Sequence, residues 1–373
     1  MKSIGIICEF NPLHNGHVYF INSIKKKYPD YILILILNGY FLERGEVSVL
    51  SKEDKTKLSL EFGVDIVLEL PVIYGTQSAD VFGETSVKIL NNFNIEKLIF
   101  GSESDNIEIL KEIANKQLYD NKYDDEVKKL LASGINYPTA LAKALNMDEF
   151  VYSPNDLLGI SYVKAIMKNN YNIEVETIKR TNGFHDNILE DEIVSASNIR
   201  EKYFDGKEIV KYLPKDYKDI ITKDFYSKYF NILKYKIITS DNLDEYLDVN
   251  EGIENRLKKE ICNADNIDDY IKLIKNKRIT YNKINRMFIH ILLGIKKDFV
   301  KDLDLDYIKV LGFNKKGVKY INFVKKNVEI PINVDKSSNI YKYELIAAKI
   351  YQLLTDKDTY NYENGNKPIK YEE

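Results

Sequence analysis

The chain has 373 residues, a formal net charge of -3, 30% charged residues, two cysteines and no tryptophan. That length suffices for two full cores, while the slightly acidic balance excludes a protein that is basic all over, so any nucleic-acid surface must be local. Cys8 and Cys262 lie far apart with no C-x-x-C, which predicts neither a disulfide nor a structural metal site. No leader-like segment opens the sequence, and its longest apolar run, 31–37, is too short for a membrane span. A cytoplasmic protein without membrane attachment is expected.

Residues 4–8 are an apolar run that reads as a buried strand, and 18–27 read as an amphipathic helix. Between them lies Phe10-Asn11-Pro12-Leu13-His14-Asn15-Gly16-His17. At such a strand–loop–helix turn, the first backbone N–H groups and the positive end of the helix dipole face outward, ready for phosphate. Two imidazoles three residues apart at the helix mouth can reach one bound anion, and Gly16 lets a ligand approach the backbone. H-x-G-H in this setting is the signature of nucleotidyltransferases, which act at the α-phosphate of a nucleoside triphosphate. With four His and 17 Gly in the chain, its chance occurrence is about 0.002. The bland alternative is a histidine pair that caps the helix or binds a metal. The chain has neither G-x-x-x-x-G-K-[ST] nor G-x-G-x-x-G, which excludes P-loop and dinucleotide-type phosphate binding.

Further strands are expected at 31–37, 66–70 and 97–100, with helices at 52–62, capped by Ser51, and at 80–93. This alternation predicts a Rossmann-like, doubly wound parallel sheet of the nucleotidyltransferase type. Its strand ends, the H-x-G-H loop, Asn38-Gly39-Tyr40, Glu69-Leu70-Pro71 and Gly101-Ser102-Glu103, then converge on one cleft. Glu43-Arg44-Gly45-Glu46 is either a charged lid or a surface turn. Glu69 and Glu103, at strand ends, read as structural hydrogen-bonding groups. In Ser153-Pro154-Asn155 the asparagine either reads an adenine edge or caps a helix. After a strand at 173–178, Arg180 and Thr181 suit phosphate or ribose contact, or a solvated turn. Ser195, Ser197 and Arg200 lie within two helical turns, so that the serines cap the helix or bind phosphate and Arg200 clamps a triphosphate bidentately.

Beyond residue 204 the pattern becomes Lys-rich and helical, with Leu213-Pro214 as a linker. A division into a nucleotidyltransferase-like domain, 1–210, and a mainly α-helical domain, 211–373, is expected. Residues 271–301 hold nine Lys/Arg against the single acid Asp298. Such a window is either a phosphate-binding footprint or a solvated face, and Tyr281 and Asn282 within it favour unpaired RNA. The candidate contacts are Lys275, Lys277, Arg278, Lys283 and Arg286.

On these residues the chain resembles the bacterial tRNA(Met) cytidine acetate ligases. The likeness runs from Cys8-Glu9-Phe10-Asn11-Pro12-Leu13-His14-Asn15-Gly16-His17 through Asp65–Pro71, Gln77-Ser78-Ala79-Asp80, Phe100-Gly101-Ser102-Glu103 and Ser153-Pro154-Asn155. It continues through Phe184-His185-Asp186 and Ser195-Ala196-Ser197-Asn198-Ile199-Arg200 to the stretch from Lys277 to Arg286. The resemblance implies activation of acetate by ATP as acetyl-adenylate, then acetyl transfer to N4 of the wobble cytidine of elongator tRNA(Met). It implies ATP contacts from Ile7, Cys8, Glu9, Phe10, Asn11, Pro12, Leu13, His14, Asn15, Gly16, His17, Val18, Tyr19 and Phe20, with Gly101, Asn155, Arg180 and Thr181. His14 and His17 act on the phosphates; Mg2+, if required, arrives with the triphosphate. The family commonly has Gln where Glu43 stands, and often Tyr in place of Phe184. The alternatives left open are a small-molecule adenylyltransferase and a non-catalytic RNA-binding protein.

Overall fold

The apolar runs of the N-terminal half become five parallel strands in a computed structural model: β1 Ser3–Cys8, β2 Ile32–Asn38, β3 Ile66–Leu70, β4 Lys97–Ser102 and β5 Glu174–Lys179. The structure describes residues 1–135, 137–145, 153–180, 194–223, 225–250, 252–277, 279–301 and 303–372. Every residue of β2 is buried, as expected of a strand with helices over both faces. Helices α1 Asn15–Lys27, α2 Lys52–Glu61, α3 Ala79–Asn92 and α4 Pro154–Asn169 follow the strands or link them. Ser51 caps α2, accepting from the Asp54 N–H at 3.0 Å.

The strand order is β5-β4-β1-β2-β3, so its direction reverses between β1 and β4. In an open parallel sheet a ligand crevice forms at that reversal, beyond the carboxyl ends of the strands. It lies here between the H-x-G-H loop and Gly101-Ser102-Glu103.

The rest of the chain is largely helical, with α5 Ala196–Phe204, α6 Phe225–Thr239, α7 Ile267–Ile274, α8 Tyr281–Leu293, α9 Asn339–Thr355 and α10 Thr359–Gly365. It also adds two strands that the sequence pattern does not announce. β6 Val310–Phe313 pairs antiparallel with β3, and β7 Ile369–Lys370 pairs parallel with β6. Gly312 lets β6 lie against α2, because a Cβ there would meet Leu60 Cδ1 at 2.8 Å and Thr56 Cγ2 at 2.9 Å.

A buried charge cluster joins the same parts. The Lys52 ammonium donates to Glu69, to Glu344 of α9 at 2.7 Å and to Glu363 of α10 at 2.8 Å; Lys309 donates to Glu363. All five side chains are essentially inaccessible. Charges so deep persist only when paired. Burial works against the Lys52 ammonium, but Glu344, Glu363 and Glu69 hold it firmly protonated. Glu69 is thus structural, as its strand-end position suggested.

Candidate active site

A cavity of about 460 Å³ opens at the reversal point, lined from β1, α1, β4, α4 and α5 and by the loop after β2. β1 delivers Ile7 and Cys8 to its floor, and the chain then turns through Phe10, whose φ of 49° is left-handed, and the cis Asn11–Pro12 peptide. Three carbonyl groups at the ends of β1 and β2 converge on one buried ammonium: Lys55 Nζ donates to the oxygens of Glu9 at 3.1 Å, Asn38 at 2.6 Å and Gly39 at 2.6 Å. The Glu9 carboxylate accepts from Asn38 Nδ2 and from the Glu43 N–H, both at 2.8 Å. This network fixes the backbone just before the motif. Lys55 was invisible in the sequence because it sits in a run, Lys52–Glu61, that reads as a polar helix.

His14 is the N-cap of α1 and His17 is its third residue, and each caps the other's backbone. The Gly16 N–H donates to His14 Nδ1 at 3.1 Å, and the His14 N–H donates to His17 Nδ1 at 3.2 Å. The rings stack with centroids 3.8 Å apart, and Phe10 packs edge-on against His17 at 4.8 Å. Burial, reinforced by the nearby Arg180, drives His14 down to about 3; burial, His14 and Arg180 hold His17 well below its usual value. Both rings are therefore neutral. Since each Nδ1 accepts a hydrogen bond, the single ring proton must sit on Nε2. Two Nε2–H donors result, on rings that line the cavity. Capping uses the Nδ1 edge of each imidazole and leaves the Nε2 edge, so that it does not exclude the ligand-binding reading of the sequence.

Of residues 7–20, Ile7, Cys8, Glu9, Phe10, Asn11, His14, Gly16, His17, Tyr19 and Phe20 line the cavity. Pro12, Leu13, Asn15 and Val18 stand behind it: the Leu13 carbonyl accepts from Tyr217 Oη, and Asn15 Nδ2 donates to the Lys211 carbonyl at 2.9 Å. Burial pushes the Cys8 thiol up to about 12, so it packs rather than reacts.

The cavity is also lined by Gly101, Asn155, Arg180, Ser195, Ser197 and Arg200. The Arg180 side chain crosses the face of Gly101, where a Cβ would meet its Cγ at 3.2 Å, and its Nε lies 3.8 Å from Glu103 Oε1. Asn155 does not cap α4; its amide donates to Glu103, which also accepts from Ser153 Oγ at 2.9 Å. Glu103, the orienting acid, belongs to the wall too. Ser195 Oγ accepts from the Asn198 N–H at 3.3 Å as the N-cap of α5 while lining the cavity. Arg200 donates from Nη1 to the Asn11 carbonyl at 2.7 Å and from Nη2 to Glu46 Oε2 at 2.6 Å. Thr181 and Phe184-His185-Asp186 lie outside the described residues.

Leu42, Glu43, Arg44 and Glu46 form part of the wall rather than a detached turn. Gly45, with φ +74°, has no room for a Cβ, which would collide with the backbone of Asn285 and Arg286 in α8. Burial raises the Glu43 carboxyl to about 7 against the pull of Arg286, whose Nη1 donates to it at 3.1 Å.

Within the basic window the structure separates two groups. Lys277 is exposed, Lys283 is half-buried, and Lys275 lies over the Tyr281 ring at 4.8 Å. Arg286 instead turns inward to Glu43 and Asp248, and Arg278 lies outside the described residues.

The model of the HIGH Nucleotidyl Transferase family matches residues 1–366. The chain is similar to the tRNA(Met) cytidine acetate ligase of Mycoplasma mobile, 39% identical over 79% of this chain and 100% of that protein. It is also similar to the ligase of the same description from Bacillus licheniformis, 34% identical over 100% of this chain and 98% of that one. Among solved structures, Thermotoga maritima TmcAL bound with alpha-thio ATP has the same fold, with a TM-score of 0.88 and 24% identity over the whole of both chains.

Proposed function

Since the chain belongs to the tRNA(Met) cytidine acetate ligase family of HIGH nucleotidyl transferases, we propose that it activates acetate with ATP and passes the acetyl group to N4 of the wobble cytidine of elongator tRNA(Met). The observation that carries the chemistry is the locked pair of neutral imidazoles. A cytidine amine is a weak nucleophile, because its lone pair is delocalised into the ring, so acetate must first become a mixed anhydride. An acetate oxygen attacks the α-phosphorus, the bond to the bridging oxygen of pyrophosphate breaks, and acetyl-adenylate remains. Negative charge builds on the phosphate oxygens during that step. His14 and His17 Nε2–H are preorganised to receive it, held by backbone donors at their other nitrogens. Arg180 would supply positive charge along the triphosphate, and Arg200, whose two amino groups are held by the Asn11 carbonyl and Glu46, would do so on exchanging Glu46 for phosphate. In the second step the amine nitrogen attacks the acetyl carbonyl, AMP leaves with the anhydride oxygen, and the nitrogen loses one proton.

The four carboxylates of the cavity, Glu9, Glu43, Glu46 and Glu103, are each committed to protein donors. Among the described residues, the carboxylates close enough together to share a metal are Glu69, Glu344 and Glu363, and two lysines bridge them already. Magnesium, if the reaction requires it, would arrive with the triphosphate. Among the described residues, no helix is long and apolar enough to cross a membrane. We assign the reaction to the cytoplasm, where ATP and elongator tRNA meet.

The division of labour follows the two halves: 1–210 for activation, 211–373 for tRNA through Lys275, Lys277, Arg278 and Lys283. The test is incubation of the protein with ATP, labelled acetate and tRNA(Met) transcript, followed by nucleoside analysis for N4-acetylcytidine. Pyrophosphate exchange into ATP, measured without RNA, should depend on acetate. A protein that makes a dinucleotide or coenzyme instead would show exchange independent of acetate and no acetylcytidine, and would overturn the assignment.

A further inference from the structure

The acetylation reading leaves open how a base attached to a bulky RNA presents its amine to an anhydride inside a cavity. The ribose and phosphates stay outside, so the base must enter flat and edge-first through the mouth, where an aromatic face is the usual holder of an unstacked base. Among the described residues, the exposed Tyr19 ring belongs to the cavity wall beside the histidines, and a second exposed ring, Tyr226, packs on Phe204, one turn along α5 from the wall residue Arg200.

Arg200 and Phe204 lie four residues apart on α5, hence on the same face, and Arg200 reaches Glu46 across the cavity wall. The ring of Tyr226, from α6 in the C-terminal half, meets Phe204 edge-to-face with centroids 5.5 Å apart and leans on the fully buried Phe225 at 4.5 Å. Its hydroxyl is within electrostatic reach of Arg200 and Glu46 and, on the other side, of Asp268 in α7. The ring is braced on two sides yet 45% exposed, and its hydroxyl makes no hydrogen bond among the described residues. Neighbouring aromatics are already engaged: Tyr203 Oη donates to the Lys218 carbonyl at 3.0 Å, and Tyr229 is buried. Tyr281, also exposed, carries the Lys275 ammonium over its ring.

We propose that Tyr226 is the platform on which the acceptor base, an unpaired pyrimidine of the RNA, stacks at the mouth of the cavity before its exocyclic amine meets the activated acetyl group. This rests on the acetyl-transfer reading for the identity of the amine, but not for the stacking itself. Through Tyr226, α6 would give the C-terminal half a direct part in presenting the acceptor.

Two measurements test it. In the first, Tyr226→Ala should lower kcat/KM for tRNA acetylation by roughly 5- to 150-fold, the effect of losing one base–aromatic stack. Acetate-dependent pyrophosphate exchange without RNA should stay within about twofold of the parent protein, and Tyr226→Phe should acetylate normally. In the second, Tyr226→Trp introduces the chain's only tryptophan. Titration with a tRNA(Met) transcript bearing cytidine at the wobble position should quench its fluorescence, and a transcript lacking that base should not. Unchanged acetylation by Tyr226→Ala, an equal loss of exchange, or quenching indifferent to the wobble base would overturn the platform. Absence of acetylation by the unaltered protein would overturn the activity instead, and the quenching result would still decide whether a base stacks here.

Discussion

His14 performs two tasks with two nitrogens, and a substitution can remove one without the other. In His14→Asn the side-chain oxygen reaches the place of Nδ1, so it can accept the Gly16 N–H that His14 Nδ1 accepts at 3.1 Å; asparagine is among the preferred N-caps. Its side chain ends short of the position of Nε2, so the donor to the phosphate is lost. Removal of one such preorganised donor costs about 2.7–4 kcal/mol at the transition state, a factor of about 10²–10³ in rate. Stability should change by only a few tenths of a kcal/mol, because the cap is kept. His14→Ala should lose the same activity and also the cap, about 1 kcal/mol of unfolding free energy. The assays are acetate-dependent pyrophosphate exchange at saturating ATP and urea unfolding of the same preparations. Exchange by His14→Asn within tenfold of the parent, or activity that follows stability across the two variants, would refute the assignment of Nε2–H to the phosphate.

Acid should act on the same residue. Because burial holds His14 down to about 3, the unfolded chain binds a proton that the folded chain refuses. The stability from the neutral ring is complete above about pH 6.5 and lost as pH falls towards 3. Between pH 7 and 5 the parent should therefore lose about 2 kcal/mol relative to His14→Asn, at 1.36 kcal/mol per pH unit; parallel unfolding curves would contradict the burial of a neutral ring. Lys52→Met should destabilise the fold by about 3–5 kcal/mol in urea, since it leaves three buried carboxylates to Lys309 alone; a loss below 1 kcal/mol would mean that the cluster is not charged. Alanine at Lys277 and Lys283 should reduce the salt dependence of tRNA binding by roughly 0.7–0.9 per lost phosphate contact and leave ATP binding intact. An unchanged slope would make this part of the window a solvated face.

The N-terminal half was legible because its signals are local. Alternating apolar runs give the strands, Ser51 marks the start of α2, and the H-x-G-H pair caps its own helix through neighbouring residues. What stayed hidden depends on partners far along the chain. Lys52 and Lys55 read as solvated helix residues; their burial is fixed by Glu344 and Glu363, about three hundred positions away, and by carbonyls of other strands. β6 has four residues, too few to reveal a period of two, and exists because Gly312 fits against α2. Arg286 looks like one more cation in a basic window; its inward turn is set by Glu43 and Asp248. Ser195 posed a choice between cap and ligand contact that its position on the cavity wall does not force.

The inward turn of Arg286 bears on how the two halves cooperate. Glu43 is held to the cavity by its own N–H, which donates to Glu9, and to the C-terminal half by its carboxyl, which accepts from Arg286. The closeness of Gly45 to the backbone of α8 fixes that junction from a second side. One face of α8 thus braces the wall of the cavity, while Lys283, three residues before Arg286, lies on a half-buried flank. Polyanion binding along this helix would act on the element that positions Glu43, and nucleotide binding in the cavity would act back on α8 by the reciprocity of coupled equilibria. Arg286 therefore belongs to the junction and differs in kind from Lys277. Its replacement leaves a buried carboxyl, already raised to about 7, without the stronger of the two cations, Arg286 and Arg44, that oppose burial, and so disturbs both halves together.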